Sequence, residues 1–205
     1  AGAAMSEVNR IPNAFLYIKG KKIADYGTMD SPECQQYLQK ERKIIDAKGG
    51  IVMPTFCDSH THIVYANSRE MEFVDKLKGL SYEEIAKRGG GILNSAKATA
   101  AATEDELYES AMLRLNEIMH MGTGAVEIKS GYGLSTESEL KMLRVIKRLK
   151  ENSPLTIKAN FLGAHGIPME YRGRQEEYVD LVIYDMMPLV ATENLADFVG
   201  VFCDK

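Results

Sequence analysis

From residue 50 onward the chain repeats one pattern, a short β-type apolar run followed by a helix with a marked start. That alternation constrains the fold more than any other feature. The runs are Ile51 to Cys57, Thr123 to Ile128, Leu155 to Leu162 and Asp197 to Cys203. Ser81-Tyr-Glu-Glu84 and Thr103-Glu-Asp-Glu106 match capping boxes, in which a hydroxyl and a carboxylate satisfy each other's free N–H groups at a helix start. The first of these helices is predicted to end at Gly89-Gly-Gly91, which suits a C-terminal turn. Behind Thr103, Leu107, Ala111, Leu115, Ile118 and Met119 keep helical spacing until Gly122. Thr136-Glu-Ser-Glu139 starts another helix, with Leu140, Leu143, Ile146 and Leu149 on one side, stopping before Pro154. Glu176 to Val190 reads as mostly helical, with Pro188 near its end. Parallel strands need long returns, and helices supply them. The expectation is an α/β fold, either an open sheet or a partial (β/α)8 TIM barrel of about four βα units, against the eight of a closed barrel.

The first fifty residues differ. Ala14 to Ile18, Lys22 to Tyr26 and Lys43 to Ile45 are short β-type runs, with Asp30-Ser-Pro-Glu33 as a turn or helix start between them. The domain reading is therefore residues 1–50 as part of a small β domain and 51–205 as the βα domain. Ala1-Gly2-Ala3-Ala4, ahead of Met5, reads as a vector-derived remnant. A formal net charge of −4 and the lack of clustered Lys and Arg argue against a nucleic-acid partner. No apolar run is long enough to cross a bilayer, and no basic start precedes an apolar stretch, so neither a membrane partner nor secretion is expected. Cys34, Cys57 and Cys203 form no CxxC pair; they read as free, half-buried thiols in a reducing cytoplasm, not as a thiolate zinc site.

Two of only four histidines stand one residue apart, in Phe56-Cys-Asp-Ser-His-Thr-His62. Residues i and i+2 of a strand point to the same side, so His60 and His62 aim two imidazoles at one place if the extended form persists past Cys57. Neutral imidazole suits zinc, iron or nickel, and parallel α/β folds gather function at the carboxyl ends of their strands. Two ligands do not close a catalytic zinc site, which usually has three and an open position. His120 reads as a partly exposed ring favoured by a helix C-terminus. His165 follows the third run in Phe161-Leu-Gly-Ala-His165 and should look toward the same strand-end face. Lys129 closes the second run and reads as an ion-pair or hydrogen-bonding residue, although a carboxylated lysine could in principle bridge metals. Gly89-Gly-Gly91 is not a phosphate loop, since no Lys-Ser/Thr follows it.

These residues carry a resemblance. Cys57-Asp-Ser-His-Thr-His62, Ser68-Arg-Glu-Met-Glu-Phe73, Ser81-Tyr-Glu-Glu-Ile-Ala86, Gly89-Gly-Gly-Ile-Leu93, Val126-Glu-Ile-Lys-Ser-Gly-Tyr-Gly-Leu134, Glu139-Leu-Lys-Met-Leu-Arg144 and Phe161-Leu-Gly-Ala-His165 occur in order. Together they resemble the N-terminal half of the imidazolonepropionases, a family of the amidohydrolase superfamily. The resemblance implies a (β/α)8 barrel beside a small β-sandwich built from both chain ends. It implies His60 and His62 as the first two ligands of one zinc or iron ion. It also implies Arg69, Tyr132 and His165 as contacts to the substrate, 4-imidazolone-5-propanoate, which is hydrolysed to N-formimidoyl-L-glutamate in histidine degradation. The family is cytoplasmic and often dimeric. Its other metal ligands, a His and an Asp, and its proton-transferring Glu come from later strands and are expected beyond Lys205, so the catalytic acid/base is unassigned. The alternatives are a non-catalytic fragment of that enzyme, or another cyclic-amide hydrolase or deaminase of the superfamily. The residue chemistry agrees with the roles implied. Arg69 offers a planar fork for a propionate, against the simpler reading of an ion pair with Glu70 or Glu72. Tyr132, between Gly131 and Gly133, can both stack and hydrogen-bond.

Overall fold

The computed structural model describes residues 2–40, 43–81, 84–85 and 91–201. The chain divides into two compact units, Ala1–Pro54 and Thr55–Lys205.

In the first unit, β1 (Ala14–Lys19) and β2 (Lys22–Thr28) form an antiparallel hairpin. Its turn runs through Gly20 at φ +64°, a conformation glycine reaches without a steric penalty. Helix α1 (Pro32–Leu38) begins where the sequence marks it. The Ser31 hydroxyl accepts the Cys34 N–H, and Pro32 fills the first turn, where no N–H is needed. Tyr37 of α1 stacks on Tyr17 with ring centroids 4.3 Å apart and donates its hydroxyl to Asp25 at 2.9 Å. The third β-type run is not a strand. Lys43 to Ile45 has no ladder partner among the described residues, and Ile44 and Ile45 are exposed.

The second unit is a four-stranded parallel sheet in the order β3 (Phe56–Thr61), β4 (Thr123–Lys129), β5 (Thr156–Phe161), β6 (Phe198–Val199). The mixed α/β class and the parallel order are those the alternation predicts. The first strand lies later than Ile51 to Cys57: residues 51–55 are unpaired and exposed, the ladder starts beyond Pro54, and it continues to Thr61. Proline has no N–H to give a ladder, which explains the late start. Residues 202–205, the end of the fourth predicted run, lie outside the described residues, as does the predicted helix end at residues 89 and 90.

Helices α2 (Glu70–Leu77), α3 (Ile92–Ala101) and α4 (Glu104–His120) lie between β3 and β4, and α5 (Thr136–Asn152) joins β4 to β5. Both capping boxes form. Thr103 and Glu106 exchange side-chain to N–H bonds at 3.2 and 2.8 Å, and Ser81 and Glu84 do so at 3.3 and 2.8 Å. Helix α5 packs on α4 and β5, burying Leu140, Leu143, Ile146 and Leu149. Fully burying each such side chain contributes about 2 kcal/mol. The last helical stretch is α6 (Gln175–Leu181), a π-helical turn over Val182–Met186, then α7 (Met187–Thr192). Pro188 cannot donate to the carbonyl four residues back, and the ladder widens by one residue just ahead of it.

Candidate functional site

The site begins with an irregularity in β3. Asp58 pairs with Val126 and Thr61 with Ile128, so β3 carries one residue more than β4 between these points. An extra residue re-aims the side chains around it. The Thr61 hydroxyl donates to the Glu127 carbonyl at 2.7 Å and ties β3 to β4 beyond the bulge. The two imidazoles of His60 and His62 come out on one side, with ring centroids 5.7 Å apart. His60 is exposed, whereas His62 is half-buried.

His62 does not stand alone. Its ring stacks on Tyr132 and on His165, at 4.7 Å between centroids in each case, and Tyr132 lies 5.3 Å from His165. Tyr132 sits in the loop after β4 and His165 in the loop after β5, so three rings converge at the carboxyl ends of three adjacent strands. Burial, with the charges of His165, His60 and Lys129, lowers the His62 ring to about 4, against the upward pull of the Ser130 backbone. The ring is therefore neutral near pH 7, the state in which a nitrogen lone pair can bind a metal. Its Nδ1 is buried and makes no hydrogen bond. His165 is likewise lowered by burial, while the Gly131 carbonyl pulls the other way. That carbonyl lies 3.1 Å from His165 Nδ1, and since it can only accept, Nδ1 carries the hydrogen.

Arg69 reaches this group through charge: its guanidinium opposes the upward effect of burial on the Tyr132 phenol. The guanidinium also donates to Glu72, through Nε at 2.8 Å and through Nη2. The other oxygen of Glu72 accepts the Gly91 N–H at 2.8 Å. The ion pair weighed as the simpler reading of Arg69 thus exists, with Glu72 as the partner. Arg69, Glu72, Asn94 and Arg114 line a cavity of about 560 Å³. Arg114 donates to the carbonyls of Ile63 and Tyr65 at 2.8 and 3.2 Å and stacks over the Tyr65 ring, fixing the chain just past the histidine pair. His120 stays exposed at the end of α4, its Nδ1 2.6 Å from the Asn116 carbonyl.

Lys129 pairs with Glu127, which also accepts from Asn160 Nδ2 at 2.8 Å. The ion-pair reading of Lys129 describes what is seen. Among the described residues, no group of three or more His, Cys, Asp and Glu side chains is gathered to hold a metal ion. The residues present still fit part of one: two imidazoles on one side, one of them neutral with an unpartnered buried nitrogen.

Sequence reasoning did not single out Glu139. Its side chain is fully buried, and its carboxylate accepts N–H groups from Gly131, Gly133 and Leu134 at 2.7–3.1 Å. Burial pushes this carboxyl up from the ordinary range, against the Ser130 hydroxyl and those three backbone donors. The signal was in the sequence: a Gly-Tyr-Gly turn full of unpaired N–H groups, with an acid at the start of the next helix.

The fold and this cluster define a parallel α/β protein with a polar, imidazole-lined site at the carboxyl ends of its strands, the usual place for a ligand in such sheets. No family model matches the chain. Over its whole length it is 56% identical to the imidazolonepropionase of Flavobacterium johnsoniae and 55% identical to that of Christiangramia forsetii, covering 49% of each. It is 46% identical to the imidazolonepropionase of Clostridium tetani, covering 48% of it. Along its whole length the chain is a homologue of these imidazolonepropionases. It spans about half the length of the curated relatives it matches.

Proposed function

We propose that this chain is part of a hydrolase that opens the ring of 4-imidazolone-5-propanoate to give N-formimidoyl-L-glutamate. Water adds across a ring carbon–nitrogen bond, its oxygen going to the carbonyl carbon and a proton to the leaving nitrogen. The observation that carries this reading is the convergence of the His62, Tyr132 and His165 rings at strand ends in a chain this close to imidazolonepropionases. The parallel sheet is read as about four βα units of a (β/α)8 barrel, and residues 1–50 as part of a small β domain.

His60 and His62 are assigned as two ligands of one zinc or iron ion. Such an ion, when bound, acidifies water and polarises a carbonyl. The chain's own residues bind and orient. Arg69 presents a guanidinium suited to the propionate carboxylate, and its bond to Glu72 steadies it. Tyr132 offers a flat face and a hydroxyl for the imidazolone ring. His165, with hydrogen on Nδ1, presents Nε2 as its remaining polar atom. The whole protein is placed in the cytoplasm, as a homodimer. Among the described residues no helix is long and apolar enough to cross a membrane.

The test compares a chain of the relatives' full length with the 205-residue chain, each analysed for metal and assayed by loss of the imidazolone. The longer chain is expected to hold one ion and turn over. His62→Ala is expected to lose both metal and turnover, because removing a zinc ligand opens the site. Release of ammonia without ring opening would assign a deaminase instead. Full activity in the short chain would overturn the partition of the ligands between the two halves.

A further inference from the structure

We propose that Glu139 is the positioning residue of this site: by gathering the N–H groups of Gly131, Gly133 and Leu134, its buried carboxylate sets where Tyr132 and His165 present their polar atoms. The inference rests on the substrate-contact reading of those two residues.

Between Ser130 and Thr136 the backbone leaves the sheet, turns back, and enters α5. Gly131 stands at φ +104°, which only glycine adopts readily. Leu134 stands at φ +53°, a left-handed conformation that a bulky side chain avoids and that persists only where the surroundings hold it. Both residues donate their N–H to Glu139, at 2.9 and 3.0 Å, and Gly133 between them donates at 2.7 Å. Tyr132 is the side chain this arc carries, half-buried and stacked on His62 and His165. One carboxylate thus fixes the backbone before and after it.

The same device reaches His165. The Gly131 peptide N–H points to Glu139, and the Gly131 carbonyl receives the hydrogen of His165 Nδ1 at 3.1 Å. The fit is tight. A methyl group on Gly131 would stand 2.7 Å from His165 Cβ, and one on Gly133 would stand 2.8 Å from Glu139 Oε1. From behind, Ser130 Oγ takes the Leu162 N–H at 3.0 Å, which locks the β4 loop to the β5 loop that carries His165. Glu139 itself is wholly buried and reaches neither ring, so its effect on the site passes through the loop.

Glu139→Gln is the discriminating change. It keeps shape and volume, but its amide nitrogen cannot accept, so one of the N–H groups now bonded faces a donor. In the full-length, zinc-loaded enzyme, Glu139→Gln should lower kcat/KM about 100-fold, as a misplacement near 1 Å does. In a His165→Ala, Tyr132→Phe background the same change should lower it less than about threefold, because its targets are gone. Equal losses in both backgrounds would mean a general structural role and overturn the proposal. A second measurement needs neither the variant nor the substrate. Nitrogen NMR of the histidine-labelled wild type should show His165 as the Nδ1–H tautomer; the Nε2–H tautomer would break the relay. Absent turnover in the wild type would sink the functional reading, and the Nε2–H tautomer would separately overturn the relay from Gly131 to His165.

Discussion

The two sides of the site are built differently. On one side, β3 brings His60 and His62 on a strand whose residues are largely exposed and whose ladder is interrupted by a bulge. On the other, the β4 loop and α5 bring Tyr132 through a wholly buried carboxylate, two close-packed glycines and a left-handed leucine. The first side is an exposed strand end, tied to β4 beyond its bulge by the Thr61 hydroxyl. The second is over-determined by packing. Substitutions of similar size should therefore have very unequal effects on the two sides.

The largest effect is expected at Gly133. A Cβ there would stand 2.5 Å from the Glu139 N and 2.6 Å from the Ser138 carbonyl carbon, both backbone atoms at the start of α5. Neither can swing aside as a side chain would. Gly133→Ala should destabilise the second unit by about 3 kcal/mol, the upper part of the usual range for overpacking. The check is urea denaturation followed by circular dichroism. A loss under about 1 kcal/mol would show that the loop is softer than its hydrogen bonds suggest and would weaken the contrast.

This asymmetry also explains what could be read in advance. Capping at Ser81 and Thr103 is a contact between residues three apart, so the sequence displays it, and the structure forms both boxes. The expectation for His60 and His62 drew on a rule of local geometry, and that for His165 on simple order after a strand. Glu139 is different. Four residues into a helix-start signal it looks like one more acidic residue of the first turn, favoured by the helix dipole. Only the return of the Gly-Tyr-Gly loop over that turn makes it the hub of three N–H groups, and that return is tertiary. The pairing of Arg69 with Glu72, against Glu70, was open for a similar reason, since Gly91 fixes the far side of the Glu72 carboxylate. The run from Ile51 misled because apolar character alone does not supply a ladder partner. The π turn ahead of Pro188 gave no sign beyond the proline itself.

A middle-sized effect tests the sheet beneath both sides. Asp197 fastens the entry to β6 onto β5: its N–H donates to the Ala159 carbonyl at 2.8 Å, and its carboxylate accepts the Ala159 N–H at 2.9 Å. Burial alone would raise this carboxyl, but Lys158, the Ala159 N–H and Lys150 outweigh it and hold it at about 2, below the ordinary 3.8. A carboxyl depressed in the folded state adds stability above its unfolded value and loses it as pH falls through the folded one. Asp197→Asn should therefore lower stability by about 2 kcal/mol at pH 6, after allowance for partial exposure. The difference from wild type should shrink between pH 4 and pH 2. A difference that stays constant over that window would assign the effect to the hydrogen bonds and not to the charge.

The smallest effect belongs to the exposed strand. Cys57 lies in β3, three residues before His60, and its thiol is exposed, whereas Cys34 in α1 is buried. Exchanging sulfur for oxygen at an exposed position removes little apolar contact and strands no buried polar group, the two routes by which a core substitution does harm. Cys57→Ser should shift stability by less than about 0.5 kcal/mol, within the spread of surface changes. An aromatic disulfide reagent added to the native chain should label Cys57 quickly and Cys34 only on unfolding. A large destabilisation by Cys57→Ser, or slow labelling of that thiol, would mean that the β3 side is covered and packed like the α5 side. The contrast between the two halves of the site would then be lost, and the bulge would have to be explained as part of a filled interior.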